Sequence, residues 1–191
     1  MKEALTKYWN SHFKGLAPEA HNLKHEFNNR WVRFHSLPES KRYPDFESEY
    51  QEILSRYSSL LLELFGLQSS LLVVLPEYSD SAKPIKPEKE LYELFPNSQY
   101  WCSVAQHEED EDEFYWHLHA AEVTLNSQEL NSLFRLVAND EVGNIIIVGI
   151  AANIVFHPYD GGADVILPST EQRNELKNKF STWLSAQPEG Y

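Results

Sequence analysis

The sequence predicts a single α+β domain in which helices pack on a mixed, largely antiparallel sheet. The length of 191 residues suits one domain that buries a sizeable core without disulfide bonds. Segments with a helical spacing of apolar residues are interleaved with short strand-like segments. The pair Asp160-Gly161 is a tight-turn signal between two of those segments, which is typical of antiparallel neighbours.

The beginning of the chain predicts a helix followed by a strand. The helix is indicated by apolar residues that recur on one helical face, namely Leu5, Tyr8, Trp9, Phe13 and Leu16. Gly15 and Pro18 are expected to end it. Residues 30–37 show the alternation of a strand, so we expect Val32 and Phe34 to share one face of the sheet.

The next part of the chain predicts the longest helix and a central strand. Residues 45–65 carry a long apolar stripe, with Asp45 as the expected N-cap and Gly66 after the last turn. The unbroken apolar run at residues 71–75 indicates a strand buried on both faces. We expect Pro76 to end that strand.

The rest of the chain predicts further strands and three helices. Residues 79–87 are polar and indicate a loop, with Pro87 at the first position of a short helix. Two more helices are expected after Asn126 and Ser169, because each has Glu or Gln three residues later. The remaining strands are predicted at residues 99–105, 114–124, 145–150, 153–158 and 163–167.

Composition excludes several classes of protein. Hydrophobic residues make up 42% of the chain and aromatic residues 13%, which excludes a disordered chain. Cys102 is the only cysteine, so internal disulfides and Cys-based zinc sites are excluded. No apolar run approaches the roughly 20 residues of a membrane span, and no secretory segment is recognised. We therefore expect a cytoplasmic protein with no membrane partner.

Charge is distributed unevenly along the chain. The net charge of −13 opposes nucleic-acid binding. Residues 1–42 hold eight Lys and Arg against four Glu, a net charge of +4, so residues 43–191 carry −17. The basic segment could dock on the acidic body of the same chain, or the acidic surface could attract a basic partner. The densest acidic stretch is Glu108, Glu109, Asp110, Glu111, Asp112 and Glu113.

The first motif with candidate binding residues is RFHSLPESKRY at residues 33–43. Strand alternation places Arg33 and His35 on one face, and Lys41 and Arg42 follow a turn at a proline. Together these four side chains could hold a phosphate or a carboxylate. The alternative is that the cations pair with acids of the same region and stabilise the corner between strand and helix. Those acids are Glu39, Asp45, Glu47 and Glu49.

A second motif surrounds the tight turn at residues 157–164, where Asp160 and Asp164 flank two glycines. Both carboxylates could approach a cation or a basic side chain of a partner. The alternative is turn chemistry, because Asp and Gly are the residues that such hairpins use.

A third pattern is His117-Leu118-His119 on a predicted strand. Residues two apart on a strand face the same way, so both imidazoles could bind one divalent metal. A site needs a third ligand, and Glu122 would face the opposite side of a regular strand. His107, the acidic stretch or His157 could supply a third ligand only if the fold brought it close. We therefore predict no bound metal and no cofactor.

The strings RFHSLPESKRY (33–43), HPYDGGADVILPS (157–169) and WLSAQPEG (183–190) resemble those of a bacterial family of uncharacterised single-domain proteins. The resemblance implies a domain that covers most of the chain, and it implies no catalytic residues. Small acidic proteins of this kind are often encoded beside polymorphic toxins and are then regarded as immunity proteins.

Two functions from different classes are predicted. The first is a non-enzymatic acidic binding protein that acts as an immunity-type inhibitor of a basic partner protein. The second is a small enzyme, or a binder of an anion or a metal-bound ligand, built from the two motifs and the histidine pair. If the two motifs and the histidine pair met in one cleft, the enzyme would be favoured. Its residues would be Arg33, His35, Lys41, Arg42, His117 and His119.

Overall fold

A seven-stranded sheet forms the centre of the structure, a computed structural model that describes residues 1–67, 70–106, 114–125 and 127–185. The strand order is β1-β7-β6-β5-β2-β4-β3, and every described pairing is antiparallel. The α+β class is confirmed. The sheet was expected to be mixed and largely antiparallel, and the described pairings are all antiparallel. The strands are β1 (Trp31–His35), β2 (Ser70–Ser79), β3 (Gln99–Gln106), β4 (Phe114–Thr124), β5 (Ile146–Gly149), β6 (Ile154–Tyr159) and β7 (Gly162–Ile166).

Helices cover both faces of this sheet, and each face has its own hydrophobic cluster. The first two helices supply one cluster and the other four supply the second. Within the described ranges, no helix is long and apolar enough to cross a membrane. The helices are α1 (Lys2–His12), α2 (Ala20–Glu26), α3 (Glu47–Phe65), α4 (Lys89–Leu94), α5 (Gln128–Ala138) and α6 (Thr170–Lys179).

Strand β2 is central and buried on both faces, as predicted. Val73 packs in the cluster under α3, and Val74 packs in the cluster under α1. The strand continues past Pro76 to Ser79, so the expectation that Pro76 ends it is wrong. Strand β5 pairs with β2 only at residues 72–74. Pro76 therefore has a strand neighbour on one side only, the edge position in which strands tolerate proline.

Helix α3 begins and ends close to the predicted positions, but its N-cap differs. The helix ends at Phe65 and is followed by Gly66, whose positive φ of 71° is one that glycine adopts readily. Phe46, rather than Asp45, occupies the N-cap position, and no side chain caps it. Asp45 is instead bound by the Lys41 ammonium at 2.8 Å, so an ion pair replaces the predicted cap.

Two other helix starts also differ from the prediction. The hydroxyl of Ser127 caps α5 by accepting a hydrogen bond from the Leu130 amide at 3.2 Å. Asn126, the expected cap, lies outside the described residues. Helix α4 begins at Lys89 and not at Pro87, which remains in the preceding loop.

One helix was not predicted, and one predicted cap is confirmed. Helix α2 buries Ala20 and Leu23, too few apolar residues for its periodicity to stand out. At α6 the hydroxyl of Ser169 accepts a hydrogen bond from the Gln172 amide at 3.3 Å, which is the expected capping contact.

The turn between β6 and β7 is tight, but it is not the type I′ turn that Asp-Gly suggests. Tyr159 pairs directly with Gly162, so Asp160 and Gly161 form the turn. Neither turn residue has a positive φ, whereas type I′ requires it at both. The position that requires glycine is 162, one residue after the turn. A Cβ atom at position 162 would lie 2.2 Å from the carbonyl oxygen of Phe34 on β1.

We expect Gly162→Ala to lower the free energy of unfolding by about 1–3 kcal/mol, because its methyl group would push against backbone that cannot move aside. Gly161→Ala is the matched control. Its methyl group would have the Tyr159 ring at 3.4 Å as its nearest contact, and a small effect is expected. Chemical denaturation measures both variants. Equal stability of the two would contradict the close approach of β1.

Candidate functional site

The sheet brings the motif at residues 33–43 and the motif at residues 157–169 to one corner. Strands β1 and β7 are antiparallel neighbours, with Arg33 opposite Asp164 and His35 opposite Gly162. The turn between β6 and β7 therefore lies beside the end of β1. Two motifs more than 100 residues apart in the chain share this corner, which we call the motif corner.

Arg33 and Asp164 form a two-point ion pair across β1 and β7. The Nε atom of Arg33 donates to Oδ1 of Asp164 at 2.7 Å, and Nη2 donates to Oδ2 at 2.9 Å. Their side chains are 16% and 5% exposed, so little water reaches the pair. The guanidinium also lies 5.0 Å from the centre of the Tyr159 ring. The parallel fork suits an arginine and a carboxylate, and Asp164 is thus occupied from within the chain.

Arg42 and Asp160 form a second ion pair at the edge of the motif corner. The Asp160 side chain is 7% exposed, whereas that of Arg42 is 62% exposed. A hydrogen bond to Asp160 also raises the pKa of the neighbouring Tyr43 phenol. The carboxylate that the sequence suggested for a cation or a partner is thus engaged by Arg42.

Tyr57 anchors the turn to helix α3. Its hydroxyl lies 2.7 Å from the carbonyl oxygen of Gly162 and 2.9 Å from that of Tyr159, and it can donate its one proton to either. The side chain is buried, and burial raises the pKa of its phenol well above the ordinary value. On the other side of the turn, the Ser36 amide donates to the Gly161 carbonyl at 3.1 Å. The turn is thus held by both β1 and α3.

Lys41 is used to fasten the loop after β1 to the beginning of α3. Its ammonium donates to Asp45 at 2.8 Å and to Glu49 at 2.5 Å. The hydrogen bond from Lys41 lowers the pKa of Glu49. This arrangement matches the alternative in which the cations pair with acids of the same region, and it takes Lys41 away from a shared anion site.

His35 is partly covered, and its backbone is fixed by Arg56 on α3. The Nη1 atom of Arg56 donates to the His35 carbonyl at 3.1 Å. Burial lowers the pKa of the His35 imidazole, so the neutral ring is favoured. Its Nε2 atom is buried and has no hydrogen-bond partner among the described residues. Sequence reasoning missed Arg56, because a charged residue on an apolar helix face gives no signal of burial.

The cations of the motif corner are neutralised by carboxylates of the same chain. Each of Arg33, Lys41 and Arg42 contacts a carboxylate of the same chain. A phosphate or carboxylate ligand would have to displace those partners and leave the buried Asp164 and Asp160 without a counter-charge. Removing one partner of a buried pair is costly. The geometry therefore favours a structural network over an open anion site.

His117 and His119 share one face of β4, as predicted, but they bind a loop. His117 Nε2 donates to the Ser81 carbonyl at 2.9 Å, and His119 Nε2 donates to the Ile85 carbonyl at 2.8 Å. The Ser103 hydroxyl lies 2.6 Å from Nδ1 of His117 and donates to it in this tautomer. The pair thus fastens the loop between β2 and α4 to the sheet.

The histidine pair lies far from the motif corner. Strands β7 and β4 are separated by β6, β5 and β2 in the sheet, which at the usual strand spacing is about 19 Å. The structure therefore brings together the first two motifs but not the third. Among the described residues, no group of three His, Cys, Asp or Glu side chains could hold a metal ion.

The densest acidic stretch, Glu108 to Glu113, lies outside the described residues. It falls between β3 and β4 in the chain. Its predicted loop and its candidate role both stay predictions.

Residues 20–188 match the family described as Domain of unknown function (DUF3885), and the chain belongs to this family. The match includes both motifs of the corner and helices α2 to α6, and it begins after α1. No curated protein and no solved structure is significantly similar to the chain.

A double-mutant cycle on Arg33 and Asp164 tests whether their pair stabilises the fold. We expect Asp164→Asn to cost about 3–5 kcal/mol of unfolding free energy, because it leaves the Arg33 charge poorly compensated. Combining it with Arg33→Met should cost less than the sum of the two single changes, with a coupling of about 1–3 kcal/mol. Urea denaturation provides all four values.

The exposed pair of Arg135 and Glu47 is the matched control, because it is also a two-point contact between an arginine and a carboxylate. Its side chains are 35% and 66% exposed, so Glu47→Gln should leave stability almost unchanged. A coupling at Arg33 and Asp164 no larger than at this surface pair would show that burial adds nothing there.

Stability should fall as the pH is lowered from 7 through about 6.5, the ordinary pKa of histidine. Burial lowers the pKa of His157, as it does for His35 and His119. In this range the unfolded chain binds protons that the folded chain does not, so acid favours unfolding. The loss should continue until the pH reaches the lowered pKa values of the folded state.

The measurement is the free energy of unfolding against pH for the parent and for His157→Asn. The variant should show a shallower slope below pH 6.5, whatever its stability at pH 7, because one buried titrating group is gone. The same substitution at the exposed His25 controls for loss of a histidine. An unchanged slope in the His157 variant would contradict the role of its burial.

Proposed function

We propose that this chain is a non-enzymatic binding protein whose acidic surface binds a basic partner protein, acting as an immunity-type inhibitor. One observation carries the proposal. The candidate cations of the motif corner are engaged by carboxylates of their own chain, while the whole chain retains a net charge of −13. Internal pairing uses up the cations but leaves most of the acids for solvent or a partner.

The enzyme alternative requires the motif-corner residues and the histidine pair to lie in one cleft, and they lie apart. Arg33 and Arg42 are occupied at one corner, and the histidine pair holds a loop about four strand spacings, roughly 19 Å, away. The immunity-type role is suggested by the small size and acidic composition of the chain, since small acidic proteins of this kind are often encoded beside polymorphic toxins. The family itself has no described activity.

The mechanism has a long-range part and a contact part. Carboxylates on the surface attract a basic protein and raise its association rate, an effect that salt weakens. Affinity then requires apolar contact, for which exposed aromatic residues are suited. Tyr43 and Phe46 are 44% and 68% exposed, and the guanidinium of Arg42, the exposed cation of the motif corner, lies 5.2 Å from the centre of the Tyr43 ring. We propose that these two rings provide part of that contact.

The test begins with capture of the partner from the native host by the tagged full-length chain. Association rates are then measured for the parent and for a variant in which Glu108 to Glu113 are replaced by Ser and Gly. We expect slower association for the variant, most clearly at low salt, and little change in folding stability. Raising the salt concentration should slow the parent more than the variant.

A second variant distinguishes the effect of the charges at residues 108–113 from the effect of the total charge. It replaces six exposed acids elsewhere on the surface by their amides, so both variants lose the same charge. A basic partner whose association is indifferent to salt and to both variants would overturn the acidic-surface mechanism. The six control residues are Glu90, Glu93, Asp140, Glu141, Glu171 and Glu175.

A further inference from the structure

Strand β4 extends beyond the end of its neighbour β3. Their pairing begins with Gln99 opposite Ala120, whereas β4 continues to Thr124. Residues 121–124 pair with β2 on one side, and no described strand pairs with them on the other. Alternate backbone N–H and C=O groups of this stretch therefore face an open edge, where a further strand can add.

The chain before β3 does not fill that edge itself. The amide of Ser98 donates to the carbonyl of Phe95 at 3.0 Å, which turns the chain away from the line of β3. A cavity of about 580 Å³ results, lined by residues 121–124 of β4 and by Leu94, Phe95, Pro96 and Asn97. A strand of four residues, about 13 Å long, would match the open stretch.

The two faces of the open stretch differ in character. Ala121 and Val123 belong to the hydrophobic cluster that includes Phe95. Glu122 lies on the opposite face of the strand by alternation and is exposed. A strand added here would therefore place every second side chain toward apolar residues and the intervening ones toward the face of Glu122.

The lining of the cavity carries acidic side chains. Glu122 on β4 and Glu129 in the first turn of α5 both line it and are exposed. Among the described residues that line it, none is Lys or Arg. Carboxylates beside a strand edge favour a peptide that carries cations opposite them.

We propose that this cavity binds an extended segment of the basic partner, which adds as a strand to the open edge of β4. The segment alternates basic residues, facing Glu122, with apolar residues, facing Ala121 and Val123. The basic character of the partner rests on the function proposed above. The place of docking rests only on the strand edge, the cavity and its lining.

The experiment measures binding of a fluorescent peptide of alternating lysine and valine, about eight residues long, by anisotropy with the full chain. We expect saturable binding, and at least about tenfold weaker binding to the double variant Glu122→Gln, Glu129→Gln. The matched control is Glu171→Gln with Glu175→Gln, which removes the same charge at exposed positions on α6 and includes a first-turn acid. It should bind the peptide like the parent.

A second peptide tests the backbone ladder. It has the same sequence with alternate amides N-methylated, so its charge is retained and strand pairing is blocked. Because strand addition depends on main-chain hydrogen bonds, this peptide should not bind. Absence of binding by the first peptide, equal binding of both peptides, or equal weakening in both double variants would each overturn the proposal.

The same variants distinguish failure of this inference from failure of the proposed function. If a captured basic partner associates with the Glu122 and Glu129 double variant as with the parent, docking at the β4 edge is wrong and the acidic-surface function stands. If the first peptide binds at the edge but the partner is not a basic protein, the docking site stands and the proposed function is wrong.

Discussion

The corner of the molecule depends on the two-point ion pair between Arg33 and Asp164. The pair joins β1 to β7 at positions directly opposite in the register, and it is shielded from water. A buried charge pair is stable only when its geometry is good and its neighbours complete the hydrogen bonding. The close approach of β1 at Gly162 and the Tyr57 hydroxyl supply that setting by fixing the turn between β6 and β7. The motifs at residues 33–43 and 157–169 are thus the two halves of one structural network.

Periodicity predicted most of the fold, because burial imposes it locally. The apolar run at residues 71–75 indicated a strand buried on both faces, and β2 is one. Prediction failed where distant residues decide. Helix α2 contributes only Ala20 and Leu23 to the core, and the need for glycine at position 162 comes from the carbonyl of Phe34 on another strand. A local turn rule pointed to Gly161 instead.

At the candidate site, too, the sequence indicated which residues carry chemistry but not which groups they contact. Sequence reasoning identified Arg33, Asp160 and Asp164, but it did not pair them, since 131 residues separate Arg33 from Asp164. It also placed His117 and His119 on one strand face correctly. Their hydrogen-bond acceptors are carbonyl groups of the loop before α4. A sequence pattern does not indicate which loop will cover a strand. Chemistry-bearing residues were recognisable, while their use depended on the tertiary fold.

The distribution of charge connects this network to binding. Three of the cations in residues 1–42 contact carboxylates that fold against them, as Lys41 does with Asp45 and Glu49. Since residues 43–191 carry far more acids than these contacts neutralise, the remaining field is negative and acts on whatever approaches from outside. Such a field brings a basic protein close but does not orient it. Orientation requires short-range features that are directional, and the open edge of β4 offers backbone donors and acceptors of that kind beside Glu122.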